Sequence, residues 1–199
     1  RVTVLRGGRT IDTFDVTGVD EPTLVSAVIG DNRSLVERTR GKATFGEVAL
    51  DVARLDAASG LSIRDLKVRQ GEIVGLTGLA GSGRTTFLRA LFGVEPFSGD
   101  VTLDGRPYRP KKPTQAIRRG VALVPESRKT DGLILDAAIY RNAVLPSLRR
   151  RRLIKHERMR REAQPVLANM STRYGSIDQP IRQLSGGNQQ KVVLAKWII

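Results

Sequence analysis

Cysteine is absent from the 199 residues, so neither a disulfide framework nor a thiolate metal site can hold this chain together. Aromatics are scarce at 5%, with one Trp, and none falls between Arg149 and Arg173. That gap removes the stacking platform a single-strand binder would need in its most basic stretch. The one histidine, His156, lies there too and reads as a surface residue, because no catalytic partner is near it in sequence. No apolar run approaches the roughly 18 residues that span a bilayer, and the N-terminus lacks the basic-then-apolar pattern of a secretory leader. Acidic residues are few, 20 against 34 Lys and Arg, for a net charge of +14. Half of that surplus sits in Arg149, Arg150, Arg151, Arg152, Lys155, Arg158, Arg160 and Arg161, opposed only by Glu157. Such a patch could meet phosphates, anionic lipid or an acidic partner; a solvated loop running into a polar helix face is the plainer reading.

What is present outlines one full core and part of another, from 40% apolar content. Val2 to Leu5, the Gly7-Gly8 turn and Thr10 to Phe14 predict a hairpin, followed by a helix over Glu21 to Ile29. Asp31 to Gly46 is polar and aperiodic, as a linker is. Glu47 to Leu55 and Leu61 to Arg69 alternate as strands, and Glu72 to Leu76 is the apolar run of a buried strand. Thr85 to Phe92 predicts a helix closed by Gly93. Leu135 to Leu148, His156 to Tyr174 and Gln189 to Ile199 predict three more. Both ends look cut, since a strand begins at Arg1 and the last helix meets no stop signal, so a longer polypeptide is expected.

Two segments carry chemistry. In the first, the predicted strand feeds Gly78-Leu79-Ala80-Gly81-Ser82-Gly83-Arg84-Thr85-Thr86, and a helix follows. Gly78, Gly81 and Gly83 permit positive φ and close backbone approach, so that successive N–H groups can face phosphate oxygens at a helix N-terminus. In the pattern G-x-x-x-x-G-K-[ST] a lysine reaches the outer phosphates and the hydroxyl binds Mg²⁺. Thr85 supplies that hydroxyl, but Arg84 replaces the lysine, a planar fork in place of a compact ammonium. Nucleotide binding with impaired or absent hydrolysis at this loop is the expectation. The second segment is Leu184-Ser185-Gly186-Gly187-Asn188-Gln189-Gln190-Lys191. Ser185 stands at a helix N-cap position, and the glycine amides after it can face a γ-phosphate. A loop with donors but no lysine or metal ligand suits the completion of another domain's site.

Residues 47 to 199 resemble the second nucleotide-binding domain of the tandem ATP-binding subunits of bacterial ABC importers for ribose, galactose and xylose. The match rests on Gly75 to Thr85, Val124-Pro125-Glu126-Ser127-Arg128-Lys129-Thr130-Asp131-Gly132-Leu133, and Leu184 to Lys191. Residues 1 to 30 resemble the tail of the preceding ATPase domain, with 31 to 46 as linker. The resemblance implies an α/β P-loop core, an antiparallel β flank near 47 to 71 and 100 to 108, and an inserted helical subdomain. It implies ATP and Mg²⁺ as ligands, held by Gly78, Gly81, Ser82, Gly83, Arg84, Thr85 and Thr86, with Ser185, Gly186, Gly187 and Gln189 serving the partner's ATP. Glu126 falls where typical members carry the Gln beside Mg²⁺ and the attacking water, so Thr85 and Glu126 are the candidate metal ligands and Glu126 the one candidate catalytic side chain. Ser127 departs from the usual Asp. No aromatic between Val48 and Gly71 offers adenine a stacking face.

The resemblance would place the aspartate of the Walker B strand, the catalytic carboxylate and the switch histidine after Ile199, so residues 1 to 199 alone should not turn over ATP. It implies the energising subunit of a sugar importer at the cytoplasmic face of the inner membrane. Its partners would be permease subunits, the preceding ATPase domain and, indirectly, a periplasmic or lipid-anchored sugar-binding protein. Two alternatives stand beside it. One is an ABC ATPase acting on nucleic acid or the ribosome, which the charge suits but the absence of a coiled-coil or basic-aromatic insertion disfavours. The other is a regulatory domain that binds ATP without hydrolysing it, which Arg84 favours.

Overall fold

The computed structural model describes residues 1–6, 8–29, 44–150 and 153–199, so Gly7 and most of the expected linker, through residue 43, lie outside the described residues. The chain forms two compact units, Arg1–Phe45 and Gly46–Ile199. In the first, β1 (Val2–Arg6) pairs antiparallel with β2 (Arg9–Phe14), with a register shift between Val4 and Leu5. Helix α1 (Glu21–Ile29) follows, and Asp20 accepts the Thr23 amide at 3.0 Å before it. Hydrogen bonds from the Thr23 hydroxyl and then its amide hold the Asp20 carboxyl below its ordinary range.

The second unit begins with an antiparallel sheet built on β3 (Val48–Ala57). It pairs with β4 (Ser62–Arg69) along one edge, and with β5 (Phe97–Ser98) and β6 (Val101–Leu103) along the other. The short β7 (Arg106–Pro107) closes the order β4-β3-β6-β7. With Ala53 and Arg54 exposed between them, Val52 and Leu55 of β3 are fully buried. They meet Phe87 and Ala90 of α2 (Arg84–Leu91) and Ala116 of α3 (Pro113–Arg118), forming one core. Helix α2 stops as its sequence demands. Gly93 takes φ 76°, its amide reaches Ala90 O, and the Val94 amide reaches Arg89 O, the two bonds of a Schellman end.

A second core belongs to the helical subdomain. Short α4 (Ile139–Ala143) leads into a 3₁₀ segment (Leu145–Arg150), and α5 (His156–Asn169) lays Met159, Ala163 and Leu167 along one face at four-residue spacing. They pack with Ile181, Leu184 and with Val192 and Val193 of α6 (Gly186–Ala195).

Three expectations need correction. Glu72–Leu76 is not a buried strand: no described residue pairs with it, and Ile73 is 97% exposed. An apolar run records hydrophobicity, whereas a parallel strand exists only when neighbours take its amides. Of the single helix expected over Leu135 to Leu148 only Ile139–Ala143 is α-helical: Ala138 before it pairs with Pro180 as an isolated bridge, and Leu145–Arg150 after it tightens to 3₁₀. The helix from His156 ends at Asn169, five residues short of Tyr174, because Ser171 adopts φ 51° and sends its amide to Ala168 O. No glycine marks that stop.

Tyr108 ties the sheet to α2. It is 4% exposed, its hydroxyl donates to Leu91 O at 2.6 Å, and burial pushes the phenol up to about 12, with Arg119 pulling slightly the other way. Its folded-state value therefore exceeds the unfolded one, so its contribution is intact below about pH 10 and is lost as pH rises towards about 12. Tyr108→Phe should cost about 1 kcal/mol in urea unfolding at neutral pH, from the lost hydrogen bond. It should also flatten the fall in stability above about pH 10.

Candidate functional site

The glycine loop adopts the backbone its sequence requires: φ is 154° at Gly78, 82° at Gly81 and 88° at Gly83. Ser82 folds back over Gly78, where a Cβ would stand 2.7 Å from its Oγ. At Gly83, the N-cap of α2, a Cβ would also stand 2.7 Å from Leu61 Cδ1, so conformation and space both select glycine. The first intrahelical bond runs from Phe87 N to Gly83 O at 2.8 Å. The amides of Arg84, Thr85 and Thr86 thus have no acceptor within the helix, and no acidic side chain occupies its first turn. A cap without a carboxylate leaves this positive end for an outside anion.

Thr85 and Glu126, the two candidate metal ligands, line one cleft of about 1200 Å³, with Leu88 and Arg89 of α2, Lys196 and Trp197. Among the described residues no group of three or more His, Cys, Asp or Glu could hold a metal by itself. A hydroxyl and one carboxylate are too few to bind a cation alone, but they fit Mg²⁺, which usually takes one or two protein oxygens and completes its shell with phosphate and water. Of the predicted loop residues only Thr85 lines this cleft; Arg84 stands exposed beside it.

The Ser185–Gly187 loop does not line the cleft, but Arg128, which does, lies against Gly186. Ser185 and Gly187 are exposed and neither lines the cleft. Ser185 is the N-cap of α6, though its hydroxyl accepts from Asn188 Nδ2 at 3.0 Å and not from a backbone amide. The first helical bond joins Gln189 N to Ser185 O, which leaves the amides of Gly186, Gly187 and Asn188 without helical acceptors. Here too the first turn has no acidic side chain.

Gln189, predicted as a nucleotide contact, is turned inward at 6% exposure and bonds to Leu184 O, Ile181 O and Arg128. Its neighbours work the same way: Asn188 Oδ1 accepts the Arg173 amide at 2.9 Å, and Lys191 Nζ donates to Ser171 O at 2.7 Å. The polar residues after the two glycines therefore anchor the helix start. Ser127, the departure from the family pattern, caps the π-helical turn Arg128–Gly132 by accepting from Thr130 N at 3.3 Å, a task open to Asp as well.

The basic stretch is partly neutralised. Arg160 bonds Asp178 at 2.7 Å and Glu157 at 2.6 Å and lies over the Tyr140 ring, while Arg158 pairs with Glu162 at 2.7 Å. His156 Nδ1 is 3.1 Å from the Tyr140 hydroxyl. Arg151 and Arg152 lie outside the described residues.

An antiparallel β flank, a glycine loop opening a helix and a helical subdomain define a P-loop ATPase domain of the ABC type. Residues 61–199 match the ABC transporter family, and the chain belongs to it. The ribose import ATP-binding protein of Rhodococcus jostii is 43% identical over 203 residues, and that of Bacillus subtilis 36%. Both alignments take in all of this chain, which spans 40% and 41% of the two relatives' lengths. Among solved structures, cbiO1 from Clostridium perfringens, part of the ABC transporter complex cbiONQ, shares the fold. Its TM-score is 0.57 at 18% identity, over 76% of this chain and 61% of that one.

Proposed function

We propose that this chain is the second nucleotide-binding half of the ATP-binding subunit of an ABC importer for a simple sugar. On this reading residues 1–30 end the preceding ATPase domain, 31–46 link the halves, and 47–199 carry the second site up to α6. The observation that carries the proposal is the joint placement of Thr85 and Glu126 in one cleft beside the open amides of α2. Names and lengths of the relatives support it. Mg-ATP would supply the phosphoanhydride whose hydrolysis drives transport, and the rest belongs to the protein. The amides of Arg84 to Thr86 receive phosphate oxygens, the Arg84 guanidinium holds the outer phosphates, and Thr85 and Glu126 face the cation. The Ser185–Gly187 amides serve the nucleotide of the other half. Permease subunits at the cytoplasmic face of the membrane, and through them a sugar-binding protein, would be the partners.

Removing the metal tests the site. Without it Glu126 faces phosphate charge directly, so ATP should bind the full-length polypeptide's second site about fivefold more weakly in EDTA than with Mg²⁺. Equal affinities in titration calorimetry would take Glu126 and Thr85 out of the site.

A further inference from the structure

The segment after Glu126 grips the start of α6 through one side chain. Arg128 opens the π-helical turn, and its Nε donates to Gln189 Oε1 at 3.1 Å across 61 residues of sequence. Buried Gln189 in turn donates to Leu184 O at 3.1 Å, immediately before Ser185. The guanidinium also lies against the backbone of the Ser185–Gly187 loop, since a Cβ at Gly186 would stand 2.8 Å from Nη2. The far end of the same turn is tied to α6 as well. Lys196 Nζ donates to Gly132 O at 2.8 Å, and a Cβ at Gly132 would come within 3.2 Å of Val193 Cγ2. Among the described residues no carboxylate pairs with Arg128. The turn and α6 are thus joined at both ends, with the Glu126 side of the cleft leading into one of them.

We propose that Arg128 is a positioning residue that couples the Glu126 side of the cleft to the Ser185–Gly187 loop. It sets where that loop's amides stand when they complete the other half's nucleotide site. The inference rests on the reading above that this loop serves a second nucleotide. Coupling free energies of this kind commonly amount to five- to 150-fold.

The test uses the full-length polypeptide and compares steady-state ATP hydrolysis, Mg-ATP affinity and melting temperature in the parent, Arg128→Ala, Arg128→Lys, Gln189→Ala and the Arg128→Ala/Gln189→Ala pair. Arg128→Ala should lower kcat about tenfold while affinity at the Thr85 site stays within about twofold. Arg128→Lys keeps a donor and should recover most of the rate. The double variant should lose less than the product of the single losses, because both changes break one bond. A parent-like kcat in Arg128→Ala, or multiplicative losses, would overturn the inference. A parallel loss of kcat and affinity would make Arg128 a nucleotide ligand and overturn it too. So would a lowered melting temperature with no recovery of kcat in Arg128→Lys, which marks a structural role. A parent that neither binds nor hydrolyses Mg-ATP would sink the proposed function itself.

Discussion

Gly187→Asp should lower ATP hydrolysis by the full-length polypeptide about a hundredfold while leaving the domain folded. A Cβ at Gly187 meets nothing within 4 Å and the residue is exposed, so an aspartate fits. It would sit in the first turn of α6, where a carboxylate favours the helix by about 0.3–1 kcal/mol. Stability should hold or rise slightly. The same charge would stand among the amides of Gly186 to Asn188, and two like charges about 4 Å apart at an effective dielectric near 20 repel by about 4 kcal/mol. Even part of that, raised against a γ-phosphate in the transition state, costs two decades of rate. Steady-state hydrolysis beside a melting curve separates the effects. Full activity in a stable Gly187→Asp protein would mean that these amides face no phosphate.

Leu167→Ala should destabilise the helical subdomain by about 3 kcal/mol, within the range for a leucine emptied from a packed core. Leu167 is fully buried on the α5 face that also carries Met159 and Ala163, packed in the cluster that holds Ile181, Leu184, Val192 and Val193. Val192 and Val193 belong to α6, so the cavity weakens the support of the Ser185–Gly187 loop as well as the fold. Urea unfolding should show a lower midpoint. A loss under 1 kcal/mol would mean that the cluster closes around the gap.

Much of this architecture was legible because its signals are local. Alternation drew β3 and β4, and the three loop glycines took the positive φ their spacing implied. Gly93 ended α2 where a glycine should. What sequence reading missed depends on partners far along the chain. Glu72–Leu76 has the composition of a buried strand but no described neighbour to pair with. Gln189 sits in a segment whose pattern suggests nucleotide contact, yet its amide bonds inward with Arg128, 61 residues earlier. Ser171 stops a helix with a positive φ that no glycine announces. The basic stretch is exposed at Lys155, Arg158 and Arg161 as a solvated face is, but the pairing of Arg160 with Asp178, 18 residues on, lies outside any window that counts neighbouring charges.

The same distinction separates the two halves of the candidate site. Thr85 and Glu126 are 41 positions apart, and only the fold brings them to one cleft. The Ser185–Gly187 loop is held by its own neighbours and by Arg128, which itself lines the cleft, while Ser185 and Gly187 are exposed and do not line it. The proposed function gives one domain both a place to receive phosphate and a second loop that completes another such place.

Whether the loop ending in Arg84 and Thr85 holds a nucleotide is decided by titrating the full-length polypeptide with Mg-ATP, in the parent and in Arg84→Ala. A charge-assisted bond to phosphate contributes about 2 kcal/mol, so a saturable site should appear whose affinity falls about thirtyfold when Arg84 is lost. Identical isotherms for the two proteins would contradict it.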